Sequence, residues 1–118
     1  MSKYFSESEL ACKCCGQLPA GGMGERLLQV LDAIREAVGS PVSLSCAYRC
    51  PEHNAEVGGV PNSYHIQGIA ADVLVPDGMS VDELASIAEQ CGAKGIGRYY
   101  SQEFVHVDTR GYEARWEE

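Results

Sequence analysis

The chain has little basic charge. Nine Lys and Arg stand against seventeen Asp and Glu, leaving a net charge of −8. That balance argues against a nucleic-acid partner held by a basic surface. No apolar run is long enough to cross a bilayer, and Met1-Ser-Lys-Tyr-Phe-Ser-Glu7 lacks the apolar stretch of a secretory leader. The expectation is a protein without a membrane anchor that stays cytoplasmic until released by another route. Internal repeats and low-complexity tracts are missing. At 118 residues the sequence has room for one modest core, so 1–118 is expected to be a single domain, acting as a monomer. Histidine is scarce as well, with three in all.

Cysteine, by contrast, is plentiful for this length, with six residues. Cys12, Cys14 and Cys15 cluster near the start, Cys46 and Cys50 flank Tyr48-Arg49, and Cys91 stands alone. Three states are open: free thiols, disulfides joining the first cluster to the Cys46/Cys50 segment, or a structural zinc. The lack of a leader favours thiols or metal over disulfides, and Cys-x-Cys-Cys is not the usual Cys-x-x-Cys zinc knuckle.

Periodicity outlines an α+β fold. Phe5 to Leu10 suits a short helical turn with both ends packed inward. Met23 to Val38 is the clearest helix, with Leu27, Leu31, Ile34 and Val38 on one face; Gly39 closes it and Pro41 prevents continuation. Val42 to Tyr48 alternates like a strand. Pro51 to Glu56 suits a short helix, and Gly58 to Asn62 a loop. Ile69 to Val75 is branched and apolar, a buried strand. Pro76-Asp77-Gly78 turns the chain, and Ser80-Val-Asp-Glu83 is a capping box opening a helix whose buried face is Leu84, Ile87, Ala88 and Cys91. Gly95 to Tyr100 and Phe104 to Asp108 read as adjacent strands around a turn at Ser101 to Glu103. Trp116 is expected to lie over the core as a lid.

One residue breaks the apolar pattern. Asp72 puts a carboxylate inside the Ile69–Val75 strand, which is costly without compensation. His65 lies seven residues before it, with Gly68 between them where the backbone can turn sharply. His106 follows in Phe104-Val-His-Val-Asp108. Catalytic zinc takes three such ligands and leaves a place for water, so His65, Asp72 and His106 are a candidate metal set. The alternative is that Asp72 caps a loop and His65 is a surface histidine; spacing does not separate the two.

Ser63-x-His65-x-x-Gly68-x-Ala70-x-Asp72, followed by the lone His106, resembles the zinc D-Ala-D-Ala carboxypeptidase and L-Ala-D-Glu endopeptidase family, whose fold is shared with the hedgehog signalling domain. Ala47 to Asn54, Val57 to Asn62 and Gly95-Ile96-Gly97 match too, so the resemblance runs from about Phe5 to Trp116. It implies a small, mainly antiparallel sheet with helices on one face and a Zn2+ held at the open face by His65, Asp72 and His106. It implies hydrolysis of peptide bonds in bacterial peptidoglycan, in stem peptides or cross-links, and fits a phage endolysin or cell-wall peptidase. Arg49 would grip a substrate carboxylate or carbonyl; Ser63 would steady the ligands from behind. His53 is not part of the pattern and reads as structural. For the base, Glu103 stands three before His106 and Asp108 two after it, on the same strand face. Glu103 is favoured narrowly, with Asp108 as partner or alternative base. Two other functions remain open: a non-catalytic zinc-containing wall-binding or phage structural module, and a cytoplasmic D,D-dipeptidase.

Overall fold

The computed structural model describes residues 4–12, 16, 18, 22–49, 64, 65 and 67–118. Ser63, His53, Cys14, Cys15, Cys50 and the expected 51–56 helix and 58–62 loop lie outside the described residues. Three helices are present among them: α1 (Glu7–Leu10), α2 (Glu25–Val38) and α3 (Val81–Gln90). Five strands form one sheet: β1 (Leu44–Cys46), β2 (Ala70–Leu74), β3 (Gly95–Tyr99), β4 (Phe104–Asp108) and β5 (Ala114–Glu117). Their spatial order is β1-β2-β4-β3-β5. All neighbours are antiparallel except β3 and β5, which run parallel. The fold is therefore α+β with a mainly antiparallel sheet, as expected, extended by one strand that periodicity did not mark.

The helices follow their sequence signals. On α2, Leu27, Leu28, Val30, Leu31 and Ile34 are buried; Val38 only packs at the core's edge. The helix starts two residues later than periodicity suggested, behind Gly24, and ends at Gly39, whose φ of 80° lets its N–H reach Arg35 O. At α3 the capping box is complete: Ser80 Oγ accepts from Glu83 N at 3.1 Å, and Ser80 N donates to Glu83 Oε1 at 3.0 Å. Val81, Leu84, Ala85 and Ala88 are buried, while Ile87 and Cys91 are half-buried against the core.

Strand alternation sorts the sheet into two unlike faces. Ala71, Val73, Ile96, Val105 and Val107 point to the helices and are almost fully buried. Helix α3 lies against β3 and β4, and α2 packs beside α3. Ala70, Asp72, His106, Asp108, Gly95 and Gly97 fall on the other face. The register aligns these in rows: Cys46 pairs with Asp72, Asp72 with His106, His106 with Gly97, and Gly97 with Trp116.

Cys46 reaches this row through an irregularity. Leu44 pairs with Val73 and Cys46 with Asp72, so Ser45 is an extra residue in β1. Such a bulge turns the next side chain to the opposite face. Leu44 stays in the core and Cys46 swings to the histidine side, where plain alternation would have kept both inward. No disulfide joins Cys12, Cys46 or Cys91 among the described residues.

Trp116 corrects the expectation of a lid over the core. It lies half-buried on the opposite face, above Gly97, with its ring 5.1 Å from that of His106. Its Nε1 donates to the Tyr99 hydroxyl at 3.0 Å. The unmarked strand β5 is what carries it there.

Candidate metal centre

On the sheet face turned away from the described helices, the side chains of His65, Asp72 and His106 are nearly sealed from solvent, at 4%, 8% and 9% exposure. Asp72 sits mid-sheet, where a bare carboxylate would be destabilising. His65 comes from the turn before β2. Gly68, at φ 75°, folds that turn back so that Gly68 N bonds His65 O and Ile69 N bonds Tyr64 O. The strand exit after Cys46 clamps it from the other side: Arg49 N donates to His65 O at 3.2 Å.

Each imidazole turns one nitrogen to an outer acceptor and the other to Asp72. His65 Nδ1 lies 2.7 Å from Ala47 O. A carbonyl can only accept, so Nδ1 carries the proton and Nε2 is left with its lone pair. His106 Nε2 lies 2.8 Å from Asp108 Oδ2. Burial pushes the Asp108 carboxyl up, but hydrogen bonds from His106 and Arg110 hold it well below the usual range. It is an ionised acceptor, so a neutral His106 that satisfies it carries its proton on Nε2 and turns a lone pair on Nδ1 toward Asp72.

Those two lone pairs then meet one oxygen. His65 Nε2 is 3.4 Å and His106 Nδ1 3.1 Å from Asp72 Oδ1. Electron pairs facing a carboxylate oxygen at this range repel unless a cation lies between them. Without metal, a proton on His65 fills that role. Burial alone would lower the His65 pKa, yet its hydrogen bonds to Asp72 and Cys46 raise it to about 9. Asp72 is depressed far below its ordinary value against the same burial, by His106 and His65. A tetrahedral ion with bonds of about 2.0–2.1 Å keeps its ligand atoms about 3.3–3.4 Å apart. The distances of His65 Nε2 and His106 Nδ1 from Asp72 Oδ1 are close to that spacing, and the outer nitrogens already make the hydrogen bonds that metal-bound histidines make.

A fourth donor stands nearby. Cys46 Sγ lies 3.8 Å from His65 Nδ1 and takes a hydrogen bond from Arg49 Nη2 at 3.7 Å. Cys46, His65 and Asp72 each offer a ligand atom within 4.8 Å of the other two. Burial pushes the Cys46 thiol up, but His65 and Arg49 together bring it below its ordinary value. Periodicity conceals this neighbour, because the bulge at Ser45 reverses the alternation of β1.

Asp108 is the second hub. It is fully buried. Besides His106, it accepts from Gly95 N at 3.1 Å, Arg110 N at 3.1 Å, Arg110 Nε at 2.9 Å and Arg110 Nη2 at 2.7 Å. The Arg110 guanidinium is in turn enclosed by the rings of Tyr64 at 4.5 Å, Trp116 at 5.2 Å and Tyr112 at 5.4 Å. Arg110 escaped the sequence reading, although an arginine two residues past a buried aspartate is a visible hint. The two glycines of Gly95-Ile96-Gly97 acquire a physical reason here. A Cβ on Gly95 would land on the Asp108 carboxylate, and one on Gly97 would lie 2.5–2.7 Å from the Trp116 indole.

Of the two acids considered as base, Asp108 is wholly engaged as a hydrogen-bond acceptor. Glu103 lies in the exposed turn before β4, at φ 56°, its carbonyl accepting from Val75 N. No hydrogen bond or ion pair joins its carboxylate to the His–Asp cluster among the described residues.

A mainly antiparallel sheet with helices behind it and a buried His–Asp–His cluster on its open face defines a class: a small protein built around a candidate cation site. The family model described as Peptidase M15 matches residues 3–108. The chain belongs to the Peptidase M15 family. It is 36% identical over 73 residues to a probable peptidoglycan L,D-endopeptidase, MepK, of Haemophilus influenzae, covering 58% of this chain and 39% of that protein. It is 34% identical over 74 residues to the peptidoglycan L,D-endopeptidase MepK of Escherichia coli K12, covering 58% of this chain and 40% of that protein. The match thus spans about two fifths of the length of these curated relatives. Arg110, Tyr112 and Trp116 fall past the residues the family model matches. No helix among the described residues is long and apolar enough to cross a membrane.

Proposed function

We propose that the protein is a zinc-dependent peptidase of bacterial peptidoglycan, with His65 Nε2, Asp72 Oδ1 and His106 Nδ1 as the metal ligands. The observation that carries this is the pair of imidazole nitrogens aimed at one buried carboxylate oxygen, 3.4 and 3.1 Å away. Family membership and the endopeptidase relatives support the reaction class. Their names make an L,D-peptide bond the first candidate, ahead of the D-Ala-D-Ala carboxypeptidase reaction that the motif resemblance suggested. Zinc bound there would supply a Lewis acid for the scissile carbonyl and an acidified water.

The protein's own groups divide the remaining work. Arg49, reaching the edge of the cluster beside Cys46, binds a substrate carboxylate or carbonyl. Asp108 orients His106 and keeps its proton on Nε2, with Arg110 locking the carboxylate. Glu103, in the turn before β4, would be the general base, with Asp108 as the alternative. Ser63 would support the ligand turn.

The experiment is digestion of purified sacculi with metal-loaded protein, followed by mass spectrometry of the released muropeptides. New peptide termini that vanish with chelator and return with zinc are expected. His65→Ala, Asp72→Ala and His106→Ala should lose zinc. Glu103→Gln should keep zinc and lose turnover. Stoichiometric zinc with no new termini would refute the peptidase and leave a binding module.

A further inference from the structure

We propose that Cys46 Sγ is a fourth protein donor to the metal, completing an N2OS set with His65, Asp72 and His106. The inference rests on the metal-centre reading above. Its ground is the sheet register. Cys46, Asp72 and His106 are direct cross-strand partners in one row, and paired residues share a face. The Ser45 bulge is what brings Cys46 onto that face, and bulges re-aim side chains in this way next to functional sites.

Distance is compatible with register: Cys46 Sγ lies 3.8 Å from His65 Nδ1 and would reach the Nε2 side by rotation about its side-chain torsion. Ligand atoms of Cys46, His65 and Asp72 already lie within 4.8 Å of one another. In a tetrahedral zinc site with Zn–S of about 2.3 Å, sulfur and nitrogen ligands stand about 3.6 Å apart. The difference is small against the arc that Sγ sweeps about its single side-chain torsion. Cys46 is a free thiol, half-buried, so no disulfide withholds it. Arg49 Nη2, 3.7 Å from Sγ, sets a cation beside the sulfur. On coordination the thiol gives up its proton to solvent and binds as thiolate. Four protein donors close the shell. Hydrolysis then requires the thiolate to yield its place to water, or the metal to accept a fifth ligand.

The test is cobalt(II) substitution of the full chain. Thiolate bound to cobalt gives an intense near-ultraviolet charge-transfer band, which nitrogen and oxygen donors lack. Wild type with one cobalt should show the band; Cys46→Ser should lose it while keeping the weaker visible bands of bound cobalt. X-ray absorption of the wild-type zinc protein should show one sulfur at about 2.3 Å beside a nitrogen and oxygen shell at about 2.0–2.1 Å. That measurement stands even if the variant fails to fold. One bound metal with no sulfur neighbour overturns the proposal and leaves the three-ligand centre intact. A charge-transfer band undiminished in Cys46→Ser overturns it too, assigning the sulfur to another cysteine. Wild type that takes up no metal, or His65→Ala that binds it equally well, defeats the centre itself and this inference with it.

Discussion

Replacing Gly95 by alanine tests the buried acceptor hub with one methyl group. The new Cβ would fall on both Asp108 oxygens and 2.5 Å from Asp108 Cγ. The carboxylate has little room to retreat, because Gly95 N, Arg110 and His106 hold it at 2.7–3.1 Å. Either the strands part or Asp108 turns away from His106 and Arg110. Overpacking of this kind costs about 1–3 kcal/mol, and a lost charged hydrogen bond about 1.5–3 kcal/mol more. The sum is about 2.5–6 kcal/mol, a drop in Tm on the order of 10–25 °C for a chain of this size. Freed of Asp108, His106 loses the partner that fixes its tautomer, so metal affinity should fall about 10–100-fold. Urea unfolding of the chelated protein and competitive zinc titration measure the two effects. Gly111→Ala is the control: a Cβ there meets nothing within 4 Å, and its stability should stay within about 0.5 kcal/mol of wild type. Gly95→Ala with an unchanged midpoint and unchanged zinc affinity would refute the assigned role of Asp108.

Three further outcomes are expected. Gly97→Ala should push Trp116 off the sheet and break its bond to Tyr99; since Trp116 is the single tryptophan, its emission should shift to the red, and an unshifted spectrum would contradict the packing. In metal-free protein, His65 is raised from 6.5 to about 9, so its contribution is complete below pH 6.5 and lost as pH rises through 9. Asp72 and Asp108 are lowered, so theirs is present above their ordinary value of 3.8 and lost as pH falls through the depressed values. Chelated protein should therefore be most stable between pH 4 and 6.5, and weaker by on the order of 3 kcal/mol above pH 9; equal urea midpoints at pH 6 and pH 10 would speak against the paired His65. Ser80→Ala should cost about 1 kcal/mol by thermal denaturation through loss of the α3 cap, and no loss would mean the cap is not formed.

Local physics made much of this protein readable from its sequence. Helix α2 is written in Leu27, Leu31 and Ile34, the start of α3 in Ser80 and Glu83, and β2 in a branched apolar run broken by Asp72. The pairing of His106 with Asp108 followed from the period of a strand. These signals act within one turn or one strand, so a single stretch of residues carries them. Tertiary structure alone decided the rest. Cys46 joins the row through a bulge that reverses its alternation, and Trp116 comes to His106 through a parallel strand whose partner lies about twenty residues away. Arg110 is aimed at Asp108 by rings from two other segments. Such placements depend on register between strands distant in sequence, and the energy that fixes a register is spread over the whole sheet.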